Sequence, residues 1–368
     1  MGSRAALQAM VIGLGCVTLP AAQTNLASQT APCPPSKTFR SIEWHWDTYQ
    51  TAAPGSDLWP LTWGPDDQLY AAWGDGGGFG GSDSDGRVSL GFARIEGDPH
   101  RFRGININGG KNPLHPASFP EKGKTDGLLF AGGSLYASIN LQDAKWPRVK
   151  HVLAWSDDQG STWSKANWFF APGKGQFEPA KFLNFGPDYT RVPARLAGFI
   201  YLVGPVFDDG PTGRGKGLYL GRVAPGKIRQ QEGIEFFSGL DSGSKPLWQT
   251  GFQYAQPIFT DTNGVSPGSI AYLPALNRFL LSVFHTGPGQ LGIFDAPEPW
   301  GPWTTVVYYE NWGNMGSVGE GLNCEFPSKW ISTDGLTLWC VFAVYGDGAK
   351  KGIKAHDRFN LVKVTLTQ

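Results

Sequence analysis

The chain has 368 residues, with 31 Lys+Arg against 31 Asp+Glu, 40% hydrophobic and 17% charged residues. That balance excludes a disordered chain, and without a run of Lys or Arg there is no electrostatic footprint of a nucleic-acid or anionic-membrane binder. With 51 Gly, 28 Pro, 15 Trp and 23 Phe, the composition suits many short strands joined by tight turns and filled with rings, so the fold class is read as all-β.

The chain opens with a short positive region, Met1-Gly2-Ser3-Arg4, followed by the apolar stretch Ala5 to Leu19 and by Pro20-Ala21-Ala22. That stretch is too short to span a bilayer, and the pattern reads as a secretory signal peptide over residues 1–22. Export implies a secreted or periplasmic protein; Cys16 carries the alternative of a lipid anchor. Cys33, Cys324 and Cys340 remain in the mature chain. If Cys324 and Cys340 flank a hairpin turning at Ser332 to Gly335, they fall out of register for a bridge. No CxxC or HExxH occurs, so no cofactor or catalytic metal is expected. A structural calcium among Asp83, Asp85 and the nearby glycines is conceivable, but the run lacks the ligand spacing of a calcium loop.

A weak repeat follows: a polar turn, an aliphatic-aromatic pair, then alternating apolar residues. It appears at residues 66–73, 132–139 and 197–203, and more loosely at 276–284 and 334–342. Each copy follows another short apolar run, such as Trp59 to Trp63 or Gly127 to Phe130. The spacing of about 60 to 80 residues leaves room for four strands and a long loop per unit, which predicts a five-bladed β-propeller. We divide the chain into a signal peptide (1–22), an N-terminal extension (23–50) and one propeller domain (51–368). The alternative fold is a β-sandwich with an irregular domain. The segment Ser156-x-Asp158-x-Gly160-x-x-Trp163 resembles the Asp boxes of sialidases and other secreted propellers, where the Asp folds a rim turn and carries no chemistry.

In a propeller the ligand site lies at one mouth of the central channel, where the innermost strands begin. Asp57 opens the first strand of blade one and Asp75 ends its return strand, so one hairpin brings both to the same end. Two carboxyls on neighbouring strands fall in the range of about 5 to 9 Å used by glycosidases. The glycines around Asp75 are read as letting backbone approach a bulky ligand. Asp126 takes the place in blade two that Asp57 holds in blade one; Glu178 and Glu325 are candidate general acids in blades three and five. His285 ends the return strand of blade four. Trp59, Trp73 and Trp312 are candidate stacking platforms for sugar rings and Arg191 a candidate substrate contact.

The strings Asp57-x-Trp59-Pro60-x-Thr62-Trp63, Gly74-Asp75-Gly76-x-Gly78-Phe79, Phe182-Leu183-Asn184-Phe185-Gly186 and Phe326-Pro327-x-Lys329-Trp330 resemble a bacterial family known as domain of unknown function 4185. The resemblance spans about residues 55 to 345. That family is linked to glycoside hydrolase family 183, endo-D-arabinanases that cut the D-arabinofuranose chains of mycobacterial arabinogalactan and lipoarabinomannan. The resemblance implies blade-one aspartates as the catalytic carboxyls, here Asp57 and Asp75.

The sequence thus predicts a secreted, monomeric glycoside hydrolase acting on a polysaccharide or oligosaccharide, with neither nucleic acid nor membrane as partner. One alternative is a polysaccharide lyase, in which His285 serves as base and Arg87, Arg191 and Arg195 neutralise a uronate. The other is a glycan-binding propeller without turnover.

Overall fold

A computed structural model describes residues 31–112, 122–142, 148–171, 175–206, 215–285, 290–312, 321–346 and 353–368. The leader read at 1–22, with Cys16, lies outside the described residues. Five antiparallel sheets follow one another along the chain and form the five blades of a β-propeller.

Blade one is β2 (Asp57–Trp63), β3 (Leu69–Gly74), β4 (Leu90–Glu96) and β5 (Arg103–Asn108), paired in that order after β1 (Ser41–Ala52) has been set aside. Blade two is β6 (Gly123–Ala131), β7 (Ser134–Gln142), β8 (Arg148–Ser156) and β9 (Ser164–Lys165). Blade three departs from four strands. After the short β10 (Lys181–Phe182) come β11 (Ile200–Pro205), β12 (Gly217–Val223), β13 (Ile234–Leu240) and β14 (Pro246–Thr250), while β15 (Pro257–Thr260) pairs with the far half of β12. Blade four is β16 (Ser266–Leu273), β17 (Arg278–Phe284), β18 (Leu291–Ala296) and β19 (Thr304–Tyr309). The repeat read from the sequence is the second strand of every blade: β3, β7, β11, β17 and, in blade five, β21 (Thr337–Val344).

Blade five is completed by both ends of the described chain. Its order is β20 (Gly321–Glu325), β21, β22 (Phe359–Thr367) and then β1, whose Ser41 pairs with Thr367 and Ala52 with Phe359. Residues 41–50, assigned to an extension by sequence, therefore lie within β1 and form the outermost strand of the last blade. This clasp closes the ring through main-chain hydrogen bonds between the two ends of the described chain and covers the outer edge of β22.

The core sits between blades, with one apolar cluster at each of the five interfaces. Successive side chains on a strand point to opposite faces. In β3, accordingly, Tyr70 and Ala72 pack against blade two while Leu69, Ala71 and Trp73 pack against blade five. Both faces are covered, so these strands read as continuous apolar runs instead of alternating ones. Between β8 and β9, Asp158 Oδ1 accepts a hydrogen bond from Thr162 N at 2.8 Å, and the Trp163 ring stacks on Phe92 at 4.0 Å. This rim turn joins blade two to blade one by packing.

Candidate active site

Because β2 and β3 are antiparallel, with Asp57 opposite Gly74, Asp57 and Asp75 emerge at the same end of one hairpin. Asp57 is buried, and its Oδ1 has no hydrogen-bond partner among the described residues. Asp75 carries two cationic contacts: Lys124 Nζ lies 2.6 Å from Oδ1 and Arg87 lies 3.2 Å from Oδ2. Lys124 comes from the innermost strand of blade two, so this ion pair ties two blades across the mouth. Burial pushes the Asp57 carboxyl up to about 7; Lys124 pulls it down, Asp75 and Asp357 push it further up, and Arg87 pulls it down. The dominant effect is the loss of solvent around a charge, which favours the neutral acid.

Asp357 is the carboxyl that the sequence reading missed. It sits just before β22, and its backbone carbonyl accepts hydrogen bonds from Gly55 N at 2.8 Å and Ser56 N at 3.1 Å, holding the turn that presents Asp57. Its own carboxyl is raised, first by burial and then by Asp75 and Asp83, with His356 and Lys124 acting in the opposite sense. Nothing in the local sequence marks it, because blade five meets blade one only when the ring closes.

The backbone here is held in unusual conformations. Leu58 and Trp59, directly after Asp57, have φ of 72° and 63°, Asp75 has 53° and Asp357 has 45°. Left-handed residues other than glycine each cost about 1–3 kcal/mol and gather at functional sites, where the surrounding structure over-determines them. The irregular register between Leu58 and Leu61 is a β-bulge, a device that re-aims a side chain beside a site.

The remaining candidates divide by position. Asp126 stands on a bulge of β6, with Oδ2 3.3 Å from His151 Nε2. Glu178 is buried just ahead of β10, at the same end as Asp57 by the pairing of Phe177 with Val206. Both therefore belong to the mouth that holds Asp57. His285 is packed away: its ring lies parallel to Tyr308 with centroids 3.9 Å apart, and Nδ1 contacts Gln290 Oε1 at 2.9 Å. Glu325 lies down the channel, where Oε1 meets Lys181 Nζ at 2.6 Å and Oε2 accepts from Leu61 N at 2.9 Å. Both of its oxygens are committed to structure, which corrects its reading as a general acid.

The aromatic assignments need the same correction. Trp59, Trp73 and Trp312 are fully buried. Trp59 stacks on Trp73 at 5.8 Å and donates its indole N–H to Ser56 O, and Trp312 packs on Trp44 and Phe342. These rings build the blade interfaces and offer no face to a sugar. Arg191 lies over the Trp63 ring at the far end of β2, at the opposite mouth from Asp57. Arg195 is held there by Glu298 at 2.8 Å and Arg87 by Asp75 and Asp83, so the three arginines of the lyase reading do not converge.

One further expectation changes. The glycine run after Asp75 packs on the protein itself: a Cβ at Gly77 would strike the Asp85 carbonyl, and one at Gly78 would strike the Trp73 ring. Asp83 and Asp85 are engaged by Arg87 and Lys111, and among the described residues no group of three or more His, Cys, Asp or Glu is set to hold a metal. Cys324 and Cys340 are free thiols, with Cys324 opposite Phe342 as the register reading expected; their sulfurs nevertheless lie 3.2 Å apart.

Residues 136–318 match the family described as Domain of unknown function (DUF4185), the family that the sequence motifs resemble. It runs from within β7 to just beyond blade four, so Asp57 and Asp75 lie outside the matched residues. No curated protein matches the chain in sequence. Among solved structures, a candidate hydrolase from Bacteroides ovatus ATCC 8483 is similar at a TM-score of 0.53 and 11% identity, covering 84% of this chain and 85% of that one. A GH43_1 enzyme from Xanthomonas citri (TM-score 0.45, 13% identity, 92% and 90% covered) is also similar. So is the catalytic domain of a Coprinopsis cinerea GH62 alpha-L-arabinofuranosidase (0.46, 9%, 89% and 98%). At such identities the likeness is one of fold.

Proposed function

We propose that the protein is a secreted glycoside hydrolase whose catalytic carboxyls are Asp57 and Asp75, acting on a furanosidic, D-arabinan-like polysaccharide. A propeller fold alone does not imply turnover, so the reading rests on the site. The observation that carries it is the unlike environment of two carboxyls at one mouth. Asp57 is buried, short of a hydrogen-bond partner and raised to about 7; Asp75 is gripped by Lys124 and Arg87. Glycosidases divide acid and base duties between two carboxyls by placing them in unlike surroundings.

In this reading Asp57, carrying a proton near neutrality, gives it to the glycosidic oxygen as the bond to the anomeric carbon breaks. Asp75 serves the opposite face of the sugar, attacking that carbon directly or drawing a proton from the attacking water. Water is consumed, and Asp57 recovers its proton by the end of the cycle. Asp126 and Glu178, facing the same mouth, are placed for sugar hydroxyls. The D-arabinan substrate is carried over from the link between the family that the sequence motifs resemble and endo-D-arabinanases, and export from the leader read at residues 1–22.

The test is product release from a panel of D-arabinan, L-arabinan, xylan and a uronate polymer. Oligosaccharides from D-arabinan alone support the full reading, saturated products from another polymer move the substrate while keeping the class, and unsaturated products from the uronate polymer would overturn it in favour of a lyase. Binding without release from any polymer would overturn it in favour of a glycan-binding propeller.

A further inference from the structure

We infer that Lys124 is the positioning residue of this site, its ammonium holding the Asp75 carboxyl beside Asp57 and so deciding which of the two carries the proton. The inference deepens the glycosidase reading above and rests on it for its catalytic meaning. Its physical content stands on the contacts of Lys124 and on the charges around Asp57.

Lys124 is buried at the start of β6 and reaches across to blade one, with Nζ 2.6 Å from Asp75 Oδ1 and 3.2 Å from the Ser89 carbonyl. Its methylene stem runs over Gly74, where an added Cβ would meet both Asp57 Oδ1 and Lys124 Cδ. Glycine at 74 thus makes room for lysine and carboxyl to lie side by side on the backbone. The charged groups acting on Asp57 come from four elements: Lys124 on β6, Asp75 after β3, Arg87 ahead of β4 and Asp357 ahead of β22. Arg87 is shared with Asp83 on the exposed side. Lys124 is the cation that is paired with Asp75 while its stem lies beside Asp57 at Gly74. Without it, Asp75 would keep only the shared Arg87 guanidinium and Asp357 only His356, whose Nε2 lies 3.2 Å from its Oδ2, and a proton would stay on Asp57 to higher pH.

The experiment is a carbon-13 NMR titration of the Asp carboxyls in the mature protein, with Asp57 assigned by its loss in Asp57→Asn. Lys124→Gln, which can still donate to Ser89 O, is expected to raise the Asp57 midpoint by about one pH unit, and Lys124→Arg to return it towards the wild type. Asp75→Asn removes the like charge and leaves Lys124, so its Asp57 midpoint should fall; this variant decides the matter if Lys124→Gln does not fold. A folded Lys124→Gln with an unchanged Asp57 midpoint, or a folded Asp75→Asn whose midpoint does not fall, would overturn the inference. The titration needs no substrate. A wild type that hydrolyses no glycan would therefore sink the glycosidase reading while leaving the role of Lys124 to be judged on its own.

Discussion

Lys181, in the innermost strand of blade three, donates to Glu325 Oε1 of blade five at 2.6 Å and to Asn323 Oδ1 at 2.8 Å, both groups being buried. The other Glu325 oxygen receives Leu61 N of blade one, and Asn323 donates to Trp59 O. This network crosses the channel and joins three blades. Removing one partner of a buried pair strands the other charge, which costs about 3–5 kcal/mol. Lys181→Met is expected to lose that much stability in urea unfolding, while Glu325→Gln in a folded protein should keep most of the activity. A Glu325→Gln enzyme that is folded but inactive would return Glu325 to the catalytic set.

Trp59 and Trp73 are core residues, so their replacement is a stability experiment. Large-to-small substitution of a buried ring costs about 3–5 kcal/mol. Trp73→Ala is expected to lower the melting temperature sharply. A variant that melts like the wild type but has a raised KM would show instead that the ring binds substrate.

The Asp57 carboxyl also sets a pH dependence of stability. Its folded value of about 7 lies above the usual 3.8, so between those values the native state holds a proton that the unfolded chain has released. Stability therefore falls as pH rises through that window, and the contribution is gone above about 7. Asp57→Asn carries no such proton. Relative to wild type, its stability should improve between pH 4 and about pH 7 and level off above that, as read from urea midpoints at a series of pH values. Parallel pH profiles for the two proteins would contradict the assignment.

The same group predicts the alkaline limb of activity. An acid that must be protonated in the free enzyme gives a kcat/KM that falls above its own pKa. For Asp57 the fall is expected to begin near pH 7. A kcat/KM that stays level to pH 9 would exclude Asp57 as the proton donor.

Much of the architecture was legible because its signals are local. Each inner hairpin carries its own turn chemistry and apolar pair, so five copies count five blades, and antiparallel pairing alone brings Asp57 and Asp75 to one end. What was hidden depends on ring closure. Lys124 and Asp357 reach Asp57 from neighbouring blades in space, and β1 finds β22 from the other end of the chain. The tryptophans were misread because a ring beside a strand start can face the mouth or the next blade, and only packing shows which. Arg191 was misplaced for a similar reason, since its loop follows β10 to the opposite end of the channel.

The central claim is that Asp57 donates the proton that breaks a glycosidic bond. Its most direct test is the rate of reducing-end release by wild type and Asp57→Asn on the polymer that the wild type cuts, with folding of both verified by circular dichroism. The account predicts a loss of about 10³-fold or more in kcat, within the range expected when a general acid is removed. An Asp57→Asn enzyme that releases sugar at the wild-type rate would contradict it.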